Sequence, residues 1–567
     1  MFKVLVNWLY IALTTACLGT GIAALAENKL HYRFKNADSI LAMGLVLATV
    51  YAQIWSLFYK VGILANIVLL ILCALSFLYG RKQIAHLIHV QRDKDSILKG
   101  IGLGILILIW VYCTSRGYMH YDSDLYHAQS IRWMEEHGIV KGLGNIHVRF
   151  AYNSSFFALS ALYSMPYLFE QSMHSINGLM ALLLSIEALR IVYAWKRRKL
   201  LLSDFARAAA LYYLTLIYRE VMAPASDYAI MCTVFYIVIK WLAQLEKEQE
   251  SDQVTPYALL CVAGVYAVSL KLTAGLILLL TIKPAVMLIQ QKRWKEIILY
   301  VCMGIGVITP WLIRNVWISG YLLYPFPALD LFPVDWKIPA QAAALDAAEI
   351  KTWGRGLNNA ALIDLPITEW FPQWFRTTLP MLGKLFIVAD ILCLVAGILV
   401  MVGKACRKKR QQWDILLVWS AVAASYLFWQ LSAPLLRYGY AYVLLLIALT
   451  AGIFWRSIQN YNAIRKHQCR REWIVPDRIL CCLLLLLSAA KLWSLGSYIV
   501  GQSALPYYVK QQDYGTYELE SYEVEGVAFY YPVSGDRVGY DAFPAIPRKT
   551  DFAFRGESLR QGFCNSQ

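Results

Sequence analysis

The chain has 567 residues, of which 59% are hydrophobic and only 16% charged, with a formal net charge of +16. The basic excess sits in short segments between apolar runs, RKQIAHLIHVQRDKDSILK (81–99), KRRK (196–199), QQKRWKE (290–296), KACRKKRQQ (404–412) and RKHQCRREW (465–473). That is the positive-inside pattern of cytoplasmic loops, so the charge reports topology and excludes nucleic acid as the partner. The twelve cysteines show neither metal-ligand spacing nor a disulfide framework; most lie in apolar runs, where a thiol acts as a small hydrophobe.

Apolar runs begin near residues 4, 39, 61, 100, 174, 204, 227, 256, 274, 296, 380, 413, 438 and 477. A bilayer needs about 20 apolar residues per helix, so the sequence predicts an all-α polytopic membrane protein with about fourteen transmembrane helices. The run at 153–168 is assigned by parity. Segment 81–99 and KRRK both belong on the cytoplasmic side, and only an odd number of crossings joins an outward loop at 118–150 to KRRK. So 153–168 is expected to lie along the outer interface, with 174–195 as the next span. Segments 118–173, 220–227, 318–379, 431–437 and the tail from about 501 then face outward, as does the N-terminus. The tail is polar and rich in tyrosine. GVAFYYPV reads as a strand, and SGD and PAIP read as turns.

HYDSDLYHAQSIRWMEEHG (120–138) follows the fourth apolar run. Asp122 and Asp124 fall at the outer end of a membrane helix, and 123–137 has helical character, with Tyr126, Ser130, Trp133 and His137 on one face. One explanation is that Asp122 or Ser123 caps the helix by accepting an amide hydrogen bond. That accounts for one acid, not two, and leaves His120, Tyr121, Tyr126 and His127 unexplained. The other explanation is that a carboxylate here acts as a general base, or holds a divalent cation such as Mg2+ or Mn2+, for a reaction at the membrane surface.

Further polar residues collect on the same side: Arg149, Arg219, Glu220, Asp227, Lys271, Arg314 with Asn315, and Arg437 with Tyr438. Outward cations break the positive-inside rule and are costly near a bilayer unless paired. Each alone can snorkel, but together they suit a shared anionic ligand such as a lipid phosphate. Arg437 and Arg314 are therefore expected near the same outward cavity as Asp122.

This organisation resembles the GT-C class of integral membrane glycosyltransferases, whose first outward loop opens on an acidic motif after a membrane helix. Asp122 fits the first acid and Tyr126 the tyrosine four positions on. Ser123 replaces the second acid of the common Asp-Glu pair, with Asp124 one place further. The phrases YDSDLYHAQSIRW, GLGNIHVRFAYNSSF, PWLIRNVWISGYLLYP, APLLRYGY and FRGESLRQGF also look like an uncharacterised group of bacterial membrane proteins. The resemblance implies a GT-C-like catalytic core over 100–500, followed by a small outward C-terminal domain over 501–567; the additional helices over 1–99 depart from the simplest family plan. It implies a polyprenyl-phosphate sugar donor and a surface glycan or lipid acceptor. It also implies a bacterial inner membrane, with the active site facing the periplasm or cell exterior. In that frame Asp122 or Asp124 is the catalytic base that deprotonates the acceptor hydroxyl. Tyr126, His127, Arg149, Asp227, Lys271, Arg314, Asn315, Arg437 and Tyr438 bind substrate, and any metal lies on Asp122 or Asp124. A transporter or flippase would instead show mid-span ionisable residues and inverted repeats. A polymerase or ligase of another class, or a scaffold, need not use the Asp122 region.

Overall fold

The computed structural model describes residues 1–34, 36–89, 96–197, 199–247, 253–405, 410–466 and 505–566, with isolated positions between 479 and 497. Among them ten helices are long and apolar enough to cross a membrane: Phe2–Leu30, Ala37–Phe58, Ile63–Arg81, Ile176–Arg197, Ser226–Leu245, Leu272–Gln290, Trp294–Ser319, Met381–Leu399, Trp413–Leu431 and Leu436–Gln459. A helix is the form such runs take in lipid because it pairs its own backbone groups.

The difference from fourteen has local causes. Lys99–Ser115 and Val254–Leu270 are apolar but shorter. The run from 204 becomes Leu202–Ile217, a 16-residue helix that carries buried Asp204 and Arg207. The run from 477 lies mostly outside the described residues.

The segment 153–168 corrects the expectation of a helix lying on the interface. It forms Ser155–Ser164, ten residues long and buried at every position. At about 1.5 Å per residue it is far too short to span. It packs against Ala37–Phe58 and Ala128–Glu136, inside the protein instead of on lipid.

Two faces can be told apart by contact. On one, the Met1 amino group and the Lys3 amide donate to the backbone oxygens of Tyr507 and Val509, and Lys3 Nζ donates to that of Phe169. The helix Ile176–Ala188 starts on this face, where Trp8 Nε1 donates to Ser175 O at 2.9 Å. It ends at a buried ionic cluster on the other face, just before KRRK. There Glu187 meets Arg190 and Arg207 at 3.1 Å each and Lys240 at 2.8 Å, and Asp38 meets Lys240 at 2.6 Å. Residues 118–173 and 505–566 thus share a face opposite KRRK.

The C-terminal domain has two small sheets. Leu519–Val524 pairs antiparallel with Val527–Pro532 through a two-residue turn, Glu525-Gly526, with φ of 50° and 82°, the positive values such hairpin turns demand. Ala553–Phe554 pairs with Phe563–Cys564. Phe529, Phe552 and Phe563 join Trp133, Ile146, Phe150, Tyr321 and Tyr324 in one apolar core. The loops 118–173 and 318–379 therefore fold as a unit with the tail. Gly142 marks the contact: at φ 66°, a Cβ there would lie 2.0 Å from Phe563 O.

Candidate active site

The acid segment begins with a π turn, Ser123–His127, continued by the α-helix Ala128–Glu136. Such turns recur at functional sites because the extra residue redirects side chains. Asp122 sits at its start but makes no side-chain capping bond, so capping does not explain this acid. Its Oδ2 instead accepts from Arg437 Nη2 at 2.5 Å. Arg437 opens the helix Leu436–Lys466. Its Nη1 lies 2.8 Å from His120 Nδ1, its Nη2 2.9 Å from the Tyr438 hydroxyl, and its Nε 3.1 Å from Asp227 Oδ2. Lys271 Nζ donates to Asp227 Oδ1 and lies 3.4 Å from the centre of the Tyr438 ring. Four residues from four distant chain segments thus form one alternating string, Asp122–Arg437–Asp227–Lys271.

The electrostatics follow from this string. Burial acts most strongly on Asp122 and pushes its pKa up, but Arg437 and then His120 and His127 outweigh it, leaving the carboxyl below its ordinary value. Burial, followed by the Arg437 charge, pushes His120 down to about 4. The Asp122 amide donates to its Nδ1 at 3.1 Å, which fixes that nitrogen as an acceptor. His127 is pushed down to about 3, mainly by burial, and its Nδ1 has no hydrogen-bond partner among the described residues. Asp122 is therefore an ionised carboxylate beside two neutral imidazoles at neutral pH.

Asp122, Tyr126, His127, Arg149, Asp227, Lys271, Asn315 and Tyr438 line a cavity of about 930 Å³. The remaining predicted residues stand elsewhere. Arg437 lies behind the wall, acting on Asp122 and Asp227. Arg314 is fully buried and absent from the lining. It donates to Asn153 Oδ1 at 3.0 Å and to Ser56 Oγ at 2.5 Å. It braces Asn153, which does line the cavity, and has no direct route to a ligand there. Asp124 also turns away from the cavity. Its carboxylate accepts from the Gly515 amide at 3.0 Å and the Tyr517 hydroxyl at 2.7 Å. Burial raises its pKa, with those two bonds opposing.

Sequence reasoning passed over several residues. Asp346 accepts from the Tyr152 hydroxyl at 2.6 Å and the Tyr324 hydroxyl at 3.0 Å, and lies 3.4 Å from Arg149. Glu349 and Asp536 line the cavity. The i,i+3 spacing of Asp346 and Glu349 on the helix Ala340–Gly354 was a readable signal. Asp536 had none, because SGD reads simply as a turn.

Among the described residues no group of three His, Cys, Asp or Glu side chains is arranged to hold a metal ion. Asp122 is engaged by Arg437, and Asp124 by the C-terminal domain. The described residues do not fit the divalent cation.

A model of the family described as "Domain of unknown function (DUF8201)" matches residues 1–444. No curated protein matches the sequence. Among solved structures, the chain is similar to the cryo-EM structure of the arabinosyltransferase EmbB from Mycobacterium smegmatis, at 14% identity and a TM-score of 0.33. That likeness covers 68% of this chain, which spans about a third (34%) of the arabinosyltransferase chain.

Proposed function

The chain belongs to the family described as domain of unknown function DUF8201, a description that names no activity, and from the site itself we propose a membrane glycosyltransferase. It moves a sugar from a polyprenyl-phosphate donor to a surface glycan or lipid acceptor. It works on the outer face of a bacterial inner membrane, toward the periplasm or cell exterior. The observation that carries this reading is the string Asp122–Arg437–Asp227–Lys271, whose two acids and lysine line a large cavity at the ends of membrane helices with Arg437 behind them. The acidic-motif resemblance at Asp122 and Tyr126 points the same way.

The chemistry is a displacement at the anomeric carbon. Asp122 Oδ1 carries no hydrogen bond among the described residues and accepts the proton of an acceptor hydroxyl. The hydroxyl oxygen forms the new bond to the anomeric carbon, and the bond to the phosphate oxygen breaks with its electron pair leaving on phosphate. Lys271 faces the cavity and meets that developing charge, and Arg437 holds Asp122 and Asp227 in register. A phosphate is already a good leaving group, so placement is the main requirement.

A transport reading would draw on Asp390, which is fully buried inside the span Met381–Leu399, with neither carboxylate oxygen hydrogen-bonded among the described residues. Asp390 stands apart from the cavity that Asp122 and Asp227 line, so this acid has no part in the site.

The test is incubation of purified protein in nanodiscs with labelled polyprenyl-phosphate sugars and candidate acceptors. The parental chain is expected to transfer label. Asp122→Asn keeps the size and can still accept from Arg437, but is a poor base, so transfer should fall by about 10²-fold or more. Equal transfer by parent and variant would remove the assignment's main support.

A further inference from the structure

We propose that the C-terminal domain is a working wall of the cavity, locked to the acid segment through Asp124, and that its Asp536 binds a hydroxyl of an uncharged sugar. The Asp536 part rests on the glycosyltransferase reading; the lock does not.

Asp124 stands two residues after Asp122, and its polar atoms are spent on the C-terminal domain. The side chain takes the Gly515 amide and the Tyr517 hydroxyl, and the backbone oxygen takes the Val538 and Gly539 amides, each at 2.9 Å. One residue therefore staples two strips of tail that are remote in sequence. The fit needs glycine twice. A Cβ on Gly515 would lie 2.7 Å from Asp124 Oδ2, and one on Gly539, at φ 67°, would lie 2.2 Å from Gly515 O. Around the same joint, the Arg537 guanidinium lies 4.9 Å from the ring centres of both Tyr121 and Tyr517. Gln129 completes the seam, donating to Gly539 O at 3.0 Å and Ala542 O at 2.9 Å.

The lock brings a further carboxylate to the cavity. Asp536 lines it beside Tyr121 and Asp122. Its Oδ1 accepts from the Tyr121 hydroxyl, while Oδ2 accepts no bond among the described residues. An ionised carboxylate is an acceptor only, so the group it suits is a donor such as a sugar hydroxyl. Charge sets the class of sugar. The lining carries four carboxylates, Asp122, Asp227, Glu349 and Asp536, against Arg149 and Lys271. Adding the charged neighbours outside the lining, Arg437, Arg537 and Asp346, still leaves an excess of one acid, which disfavours an anionic ligand next to Asp536.

Asp124 is thus a positioning residue, acting on Asp122 through the π turn and on the ligand through Asp536. The test uses the full chain in nanodiscs, with a neutral glycan acceptor that the parental chain glycosylates. Asp536→Asn should raise the acceptor KM at least tenfold while kcat falls less than threefold. Asp124→Ala should expose 505–566 to protease and shift the acidic limb of the kcat profile upward, as Asp122 slips from Arg437. Asp124→Asn can still accept from Gly515 and should restore both. An acceptor KM within twofold of parental in Asp536→Asn, or undiminished protection in Asp124→Ala, overturns the proposal. Donor turnover to water is followed in parallel. A parental chain that turns over no donor sinks the enzyme reading and the Asp536 contact with it, and proteolysis alone then decides the lock. Donor turnover with a silent Asp536→Asn sinks this inference and spares the enzyme.

Discussion

Arg437 Nη2 lies 2.5 Å from Asp122 Oδ2, joining residues 315 positions apart in the chain. The same guanidinium reaches Asp227, so the ends of two membrane helices and the acid segment are held by one side chain. Breaking up this assembly should change chemistry and stability in different proportions.

The pH dependence follows from Asp122. Its carboxyl sits below the ordinary aspartate value because Arg437 and the two histidines outweigh burial. A carboxylate base is active when ionised, so transfer should hold down to below about pH 4, the usual aspartate range, and fall as pH drops through the lowered pKa. Arg437→Gln removes the strongest opposing charge and lets burial dominate, so the acidic limb should move to higher pH. A kcat profile whose acidic limb is the same in both proteins would exclude Asp122 as the base.

Arg437→Lys keeps the charge but loses the fork that serves Asp122, His120 and Asp227 together. We expect donor kcat/KM to fall about tenfold or more, a change of about 1.4 kcal/mol in the transition state. Arg437→Met leaves two buried carboxylates without their cation, a loss of about 3–5 kcal/mol in stability. Steady-state kinetics and melting in nanodiscs separate the two effects. A Lys variant with parental donor kinetics would place Arg437 outside the chemistry.

The two-face arrangement predicts thiol labelling. Tyr118, Glu170 and Val509 are exposed on the face that holds the acid segment. Cysteines at these positions in a cysteine-free background should react with an impermeant reagent from the same side, opposite KRRK. Labelling of 118 and 170 from different sides would mean that 153–168 crosses the bilayer.

Away from the cavity, Glu187 is fully buried and holds Arg190, Arg207 and Lys240. Glu187→Gln removes the charge that compensates them and should cost about 3–5 kcal/mol. Its stability should fall while transfer per folded molecule stays at the parental level. An unchanged melting temperature would show that Asp38 and Asp204 alone satisfy the three cations.

The sequence by itself determined the helical membrane architecture and the placing of the acid segment and KRRK on opposite faces. Apolar runs in lipid have helix as the form that pairs their own backbone, and basic segments mark one side. It also drew attention to Asp122 and Asp124, two acids at a helix exit that a single cap does not explain, with the resemblance favouring Asp122 through its spacing to Tyr126. What it left open depends on rotation and distance. Asp122 and Asp124 differ by two residues, which turns one toward Arg437 and the other toward Gly515 and Tyr517; neither partner is local. Arg314 and Arg437 looked alike in sequence, yet one lies behind Asn153 and the other on Asp122, because packing decides which way a side chain at a helix end points. The run 153–168 read as interfacial from the parity of the basic segments, and the burial of Ser155–Ser164 on all sides comes from helices that only the folded chain brings around it. The tertiary structure placed Glu349 and Asp536 on the cavity wall and Asp346 behind it on Arg149, since the loops that carry them meet only once they share a core with the C-terminal domain.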